Sequence, residues 1–171
     1  MKKLTTLLSV FVLSLFASMT LYAQGNIDPN APFLKDKNIP KFTLNLTTGK
    51  SFSNTQIPKS KYTCIIIFSP DCSHCQEEAA ELTKNADKFK SVFFIWNNSN
   101  KEMADIKAFA IKYGLDKQSN VIVGRDPEFA IPVFFRPRMT PFVALYANGQ
   151  LLKVYEQGVK VPELLKIIGG K

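Results

Sequence analysis

Hydrophobic and polar positions along this chain switch between the period of a strand and the period of a helix. Residues 42–46 alternate, and a turn-type sequence separates them from residues 51–52, which predicts a β-hairpin. Continuous β-branched and aromatic runs at 63–68 and 91–96 are typical of strands buried on both faces. Apolar residues at spacings of three and four predict helices over 72–89, 101–113, 128–135 (short, and broken by Pro132) and 161–168.

A second hairpin is predicted near the carboxyl terminus. Strand patterns at 142–146 and 151–155 flank Asn148-Gly149, a strong signal for a tight turn. A further short strand is expected at 121–123. Parallel strands need helical crossovers, whereas the late hairpin adds antiparallel strands. The sequence therefore predicts an α/β fold, with a mixed sheet flanked by helices and an added N-terminal β-hairpin.

The first residues read as an export signal. Lys2 and Lys3 precede a short apolar run over 7–21, and Ala23 is the best residue for cleavage. Serines interrupt the run, so an uncleaved membrane anchor is the weaker alternative. We expect no stable membrane span after cleavage and an exported, in Gram-negative bacteria periplasmic, protein. The predicted organisation is a signal peptide at 1–23 and a single domain at 24–171, with a flexible lead-in at 24–40.

Composition narrows the function. The chain has 171 residues, 46% of them hydrophobic, with 14 Phe, which is enough for one core. The formal net charge of +8 is spread along the chain without a basic, aromatic-rich stripe, so we expect no nucleic-acid partner. Three Cys and one His are too few for a classical zinc module, so no metal site is expected.

The candidate chemistry lies at Cys72-Ser73-His74-Cys75, where a buried strand meets a helix. Unpaired N–H groups and the dipole at a helix start stabilise an anion, which lowers the pKa of the first thiol. A thiolate attacks disulfides, and a second thiol one turn later resolves the mixed disulfide. We therefore assign Cys72 as the more exposed nucleophile and Cys75 as the resolving thiol. Structural zinc and a purely structural disulfide are the less favoured alternatives.

Neighbouring side chains tune such a pair. A positive charge on His74 would favour the Cys72 thiolate, whereas the carboxylate of Asp71 would oppose a second anion. Ser73 and His74, the two residues between the cysteines, tune the reduction potential, and the sequence leaves open whether His74 or Asp71 dominates. Cys64 has two interpretations: a third redox partner, or a small buried residue of the strand, which is favoured.

These residues resemble the thioredoxin-like superfamily. The resemblance rests on the segment 68–75 after a buried strand, on Thr140-Pro141 before another strand, and on later turn glycines. Export, the leading hairpin and Glu78 are similar to the TlpA/ResA-like thiol–disulfide oxidoreductases. The resemblance implies that Pro141 is cis and packs on the cysteines, and that the backbone of Thr140 binds the substrate peptide.

The chain also departs from that pattern. Neither residue between the cysteines is Pro, and Cys-x-His-Cys resembles the motif of periplasmic disulfide oxidants. Ile66 stands where thioredoxin carries a buried acid, which leaves Glu77 and Glu78 as the nearest carboxylates. Peroxiredoxins have a similar fold but carry a Thr three residues before their reactive Cys, where this chain has Ser69. The direction of electron flow therefore stays open.

The predicted function is thiol–disulfide exchange with exported proteins, favouring reduction, with recycling by a membrane redox partner. It needs no cofactor beyond the Cys72–Cys75 disulfide. A disulfide-forming oxidant and a peroxiredoxin-like peroxidase are alternatives, and a non-catalytic metal chaperone or binding module is the alternative of another class. Groove contacts beside Pro141 are expected from Phe134, Phe135, Arg136 and Arg138.

Overall fold

The computed structural model describes residues 27–169, so the predicted signal peptide at 1–23 lies outside the described residues. The strands are β1 (Thr43–Leu46), β2 (Ser51–Ser53), β3 (Tyr62–Ile67), β4 (Val92–Asn98), β5 (Val121–Arg125), β6 (Phe142–Ala147) and β7 (Gln150–Tyr155). The α-helices are α1 (Ser73–Lys84), α2 (Met103–Lys112), α3 (Ala130–Phe135) and α4 (Val161–Ile168). Among these helices, none has the length and apolar character needed to cross a membrane.

The strands form one seven-stranded mixed sheet in the order β2-β1-β5-β4-β3-β6-β7, so the predicted fold class is confirmed. Strands β3, β4 and β5 run parallel, while β6 is antiparallel to β3. Ile67 at the end of β3 pairs with Asn97 on one side and with Phe142 on the other. The carboxyl ends of β3 and β4 therefore share one edge of the sheet with the amino end of β6.

Helices cover the sheet on both faces. Helices α1, α2 and α4 contribute to an apolar cluster on one face, which includes Cys75, Ile106 and Leu164. Helix α3 contributes Ile131 and Phe135 to a second cluster on the other face. All six residues of β3 are buried, as its continuous apolar sequence predicts.

Several details of the elements differ from the predictions. Helix α1 ends at Lys84 instead of residue 89, because the Asn85 side chain donates to the carbonyl of Glu81 and a 3₁₀ turn follows. Strand β4 runs on through Asn98, where a loop was expected. Pro132 does not break α3, since it lies in the first turn, where backbone N–H groups have no helical partner.

The lead-in is ordered within its described part, so the prediction of a flexible segment over 24–40 is wrong from Ala31 onward. Ala31 and Phe33 are each only 2% exposed and belong to the second apolar cluster. Asn38 forms an isolated antiparallel bridge with Gln150. Apolar burial by two residues in a polar, proline-containing segment is a tertiary effect that local composition does not reveal.

Two turn glycines have positive φ angles for different reasons. Asn148 and Gly149, with φ of 50° and 81°, form the predicted tight turn between β6 and β7. Gly158, with φ of 80°, lies against α1 and the residue before β6, and a Cβ there would overlap Glu78 Oε2 and approach Pro141 Cγ to 3.1 Å. By contrast, a Cβ at Gly149 would meet nothing within 4 Å.

This difference predicts unequal costs for alanine at the two glycines. Gly149→Ala adds only the backbone cost of a positive φ, about 1 kcal/mol of unfolding free energy. Gly158→Ala adds displacement of Glu78 and Pro141 to the same backbone cost, and should lose about 2–3 kcal/mol in total. Urea denaturation of both variants measures the difference. Equal losses would contradict close packing at Gly158.

Candidate active site

The loop between β3 and α1 is fixed by core packing before it reaches the first cysteine. Phe68 is only 1% exposed, and its ring packs against Trp96 and Phe109 with centroid separations of 5.4 and 4.6 Å. Its backbone N–H donates to Asn97 O at 3.0 Å, and its carbonyl accepts from Asn98 Nδ2 at 2.6 Å. The end of β3 therefore holds the cysteine loop in one position.

Cys72 occupies the N-cap of α1. Its sulfur accepts a hydrogen bond from the backbone N–H of Cys75 at 3.4 Å, so Cys72 lies at the helix start, where the sequence places it. Cys72 is half-buried, whereas Cys75 is fully buried with 0% exposure. The predicted order of exposure is confirmed. All three cysteines are free thiols, so the structure describes the dithiol form.

The pKa values of the two thiols differ because their surroundings differ. Partial burial works to raise the pKa of Cys72, but hydrogen bonds to its sulfur from Cys75, from the Thr140 side chain and from the His74 backbone lower it below its ordinary value. Burial raises the pKa of Cys75 to about 12, against the bond from Ser69 N to its sulfur at 3.5 Å. Of the two thiols, Cys72 is therefore the one whose surroundings favour the thiolate.

The Thr140–Pro141 segment stands beside Cys72, although 68 positions separate Cys72 from Thr140 in sequence. The Thr140–Pro141 peptide bond is cis, as the resemblance implied. The Cys72 thiol donates to the Thr140 carbonyl at 3.2 Å, a bond that only the protonated form can make. The substrate-binding role of Thr140 and Pro141 stays a prediction.

The residues expected to affect the stability of the Cys72 thiolate lie on different sides of the cysteine pair. Ser73 and His74 are exposed on the first turn of α1, and His74 lines a cavity with Thr140 and Pro141. Asp71 forms an ion pair with Lys101, a residue that follows β4. Lys101 offsets the negative charge that the sequence placed beside Cys72. It was missed because only the sheet order brings the ends of β3 and β4 together.

Glu77 and Glu78 differ in burial and in hydrogen bonding. Glu77 is exposed, whereas Glu78 is half-buried and accepts the backbone N–H of Val159 at 3.1 Å and 3.0 Å through its two oxygens. Burial raises the pKa of Glu78 to about 7, against the opposing effects of Val159 N–H and the charge of Lys160. Of the two carboxyl groups, only Glu78 is thus partly buried and held by the backbone.

Cys64 lies in β3 with 0% exposure. Burial, and then the charge of Glu78, raise its pKa well above the ordinary value. A fully buried neutral thiol is the interpretation that the sequence favoured, and the structure confirms the burial.

Two of the expected groove contacts are wrong, because Phe134 packs against the second apolar cluster and Phe135 lies within it. Phe135 is only 1% exposed and packs against Phe33 and Phe142 at centroid distances of 5.7 and 5.3 Å, so it belongs to the core. Arg136 and Arg138 do line a cavity together with Thr140. A helix of 6 residues is too short for its hydrophobic period to show which side is buried, so the sequence did not reveal the core position of Phe135.

A metal site needs several ligating side chains close together. Within 27–169, no three or more His, Cys, Asp or Glu side chains converge as a metal site would require.

Comparisons with known proteins place this geometry in a family. A family model described as the AhpC/TSA family matches residues 36–132, which is more than half of the 171 residues. The chain belongs to the AhpC/TSA family. A comparison with curated proteins finds no significant match.

Solved structures share the fold of this AhpC/TSA family member at low identity. A secreted Mycobacterium tuberculosis disulfide oxidoreductase, homologous to E. coli DsbE, matches with a TM-score of 0.64 and 19% identity over 76% of this chain and 96% of that chain. A thioredoxin-like protein from Aeropyrum pernix matches with a TM-score of 0.63 and 14% identity, over 77% of this chain and 89% of that chain. Copper-bound ScoI from Arabidopsis thaliana matches with a TM-score of 0.60 and 14% identity, over 78% of this chain and 96% of that chain. The fold is thioredoxin-like.

The unequal thiol environments predict selective alkylation. The rate of iodoacetamide modification of Cys72 should rise with pH to a midpoint below that of a free cysteine, because hydrogen bonds stabilise its thiolate. Mass spectrometry at each pH should find Cys75 and Cys64 unmodified over the same range. Cys72→Ser should abolish the rapid modification by iodoacetamide. A pH midpoint for Cys72 at or above that of a cysteine in a model peptide would contradict the prediction.

Glu78 predicts a specific pH dependence of stability. Its folded-state pKa of about 7 lies above the ordinary 4.5, so the folded state binds the proton more tightly than the unfolded state. This contribution to stability is present below about pH 4.5 and is lost as the pH rises through about 7. As the pH rises over that window, the free energy of unfolding of the wild type should fall by about 2 kcal/mol relative to that of Glu78→Gln. This figure is reduced from the full pKa shift because Glu78 keeps some contact with solvent.

Glu77→Gln is the matched control, because Glu77 is exposed on the same helix turn. Urea denaturation of the reduced proteins at the two ends of the window measures the effect. The idea fails if Glu78→Gln and Glu77→Gln show the same pH dependence.

Proposed function

We propose that this protein is a thiol–disulfide oxidoreductase of the TlpA/ResA-like kind, acting on exported proteins through Cys72 and Cys75. The observation that carries the proposal is the asymmetry of the pair. One thiol caps a helix at a half-exposed position with a lowered pKa, and the second lies buried behind it with a raised pKa. This arrangement suits a nucleophile and a resolving thiol.

Reduction of a substrate disulfide proceeds in two exchanges. The Cys72 thiolate attacks one substrate sulfur, forms a mixed disulfide and releases the other substrate sulfur as a thiolate. That thiolate takes up a proton, and Cys75 loses one as its sulfur attacks Cys72. The second substrate thiol then leaves, two electrons have passed to the substrate, and Cys72–Cys75 is a disulfide.

The cis-proline segment supplies the docking position. The Thr140 carbonyl lies 3.2 Å from the Cys72 sulfur, so a backbone group stands next to the reacting atom. An extended substrate segment that pairs with this backbone would bring its own sulfur within reach of Cys72.

Export and recycling complete the proposal. The predicted signal peptide at 1–23 would direct the domain to the periplasm of a Gram-negative source, where disulfides persist. Continuous reduction there requires electrons, which we assign to a membrane redox partner that reduces the Cys72–Cys75 disulfide.

Mixed-disulfide trapping tests the function. Cys72→Ser should abolish reduction of insulin by the dithiothreitol-supplied protein, because no other exposed thiol exists among residues 27–169. Cys75→Ser should form mixed disulfides that persist, since the resolving thiol is missing. Cys64→Ser is the control and should keep turnover. Full activity of Cys72→Ser would overturn the proposal.

The reduction potential of the pair decides the direction of electron flow. A value near about −270 mV, as in thioredoxin, supports a reductant, and a value near about −120 mV supports a disulfide-forming oxidant. Lys101 beside Asp71 removes one charge that would oppose the thiolate. A protein with no titratable disulfide would instead fit the binding-module alternative.

A peroxidase is the second candidate, favoured by the AhpC/TSA match and by Ser69 three residues before Cys72. In this structure the Ser69 carbonyl accepts from Cys72 N at 3.1 Å, and its N–H donates to the Cys75 sulfur. Loss of hydrogen peroxide at a rate well above that of free cysteine, without insulin reduction, would select the peroxidase.

A further inference from the structure

A groove runs along one flank of Cys72. It encloses about 490 Å³ and is lined by the ends of β3 and β4 and by the segment before β6, which are residues 67–69, 98–101, 132 and 136–140. We name it the Arg138 groove. It shares Thr140 with the redox site, so a segment bound beside Cys72 would continue into it.

The groove is lined by three cations, of which one is unpaired. Lys101 is paired with Asp71, and Arg136 Nη1 lies 3.3 Å from Asp28 Oδ2. Arg138 is exposed and forms no ion pair or hydrogen bond within residues 27–169. Arg138 does lie near enough to Asp28 to help lower the pKa of that carboxyl, but Asp28 is already paired with Arg136. Three cations thus face two carboxylates, and the groove keeps a net positive charge.

A buried hydroxyl adds a second, independent sign of a ligand. Ser99 lines the groove with 4% exposure, and its Oγ has no hydrogen-bond partner in the described structure. Its loop is held by Asn98 Oδ1, which accepts from the N–H groups of Asn100 at 2.9 Å and Lys101 at 2.7 Å. A hydroxyl left unpaired at such a position is costly unless a ligand completes it.

The other flank of Cys72 carries the opposite charge. Glu77, Glu78 and Glu81 line a cavity of about 410 Å³ there, together with His74 and Lys160. An acidic segment would be repelled on that side and attracted on the side of Arg138. The charges therefore define an orientation as well as a site.

We infer that the Arg138 groove binds an acidic side chain of the partner protein, placed on one side of its reacting cysteine. The carboxylate would pair with the guanidinium of Arg138 and accept the Ser99 hydroxyl. This inference rests on the proposed function and adds the substrate class: disulfides whose extended flank carries Asp or Glu. In an extended segment, a residue two positions from the cysteine lies on the same face, about 7 Å away.

Three matched peptides test the inference. Each carries one Cys in a disulfide with 5-thio-2-nitrobenzoate, and differs only in Glu two positions before the Cys, Glu two positions after it, or Gln at both. The pre-reduced wild-type protein should react with one Glu isomer about fivefold faster than with the Gln peptide at low salt, as expected for one partly exposed charge-assisted contact. The other isomer should gain nothing, and salt should erase the preference.

Variants assign the preference to Arg138. Arg138→Gln should bring the ratio of rates for the favoured Glu and Gln peptides close to one, Arg138→Lys should retain most of it, and Ser99→Ala should lower it part-way. Lys90→Gln removes an equal charge just before β4, at the opposite edge of the sheet, and should leave the ratio unchanged.

The outcomes separate the two proposals. Equal rates with all three peptides, or a preference that survives Arg138→Gln, would overturn the acidic-partner inference while leaving thiol–disulfide exchange standing. Failure of the reduced wild-type protein to release thionitrobenzoate from any peptide would overturn the proposed function and the inference together.

Discussion

Burial of β3 on both faces is the constraint on which the site depends. Because every residue of Tyr62–Ile67 is buried, the strand has one register and its last residue has one position. Phe68 continues this packing beyond the strand, so Cys72 reaches the amino end of α1 already oriented. The strand thus determines the position of Cys72, and the helix end places backbone N–H groups beside its sulfur.

A second tie joins α1 to the segment that precedes α4. Glu78 accepts the Val159 N–H, and Gly158 leaves room for both Glu78 and Pro141 to pack there. A half-buried carboxyl group thereby ties the cysteine helix to the segment before α4, next to which Pro141 also lies. The raised pKa of Glu78 is the electrostatic cost of that position, and it places the titration of this link near neutral pH.

Family membership and geometry answer different questions. The AhpC/TSA match and the thioredoxin-like neighbours establish the fold, and those neighbours include both a disulfide oxidoreductase and a copper-bound protein. What distinguishes these chemistries is the immediate environment of each sulfur. Here the contrast between capped Cys72 and buried Cys75, rather than the overall likeness, argues for a pair that works in sequence.

Local patterns in the sequence determined the strands, most helices and the candidate Cys72–Cys75 pair, because hydrophobic period, turn residues and the spacing of the two cysteines act within a few positions. They did not reveal Lys101 beside Asp71, the core position of Phe135 or the burial of Phe33. Each of these depends on which strands become neighbours or on which face a short element covers. Such choices come from pairing across the sheet and from competition for its two faces, and only the tertiary structure decides them.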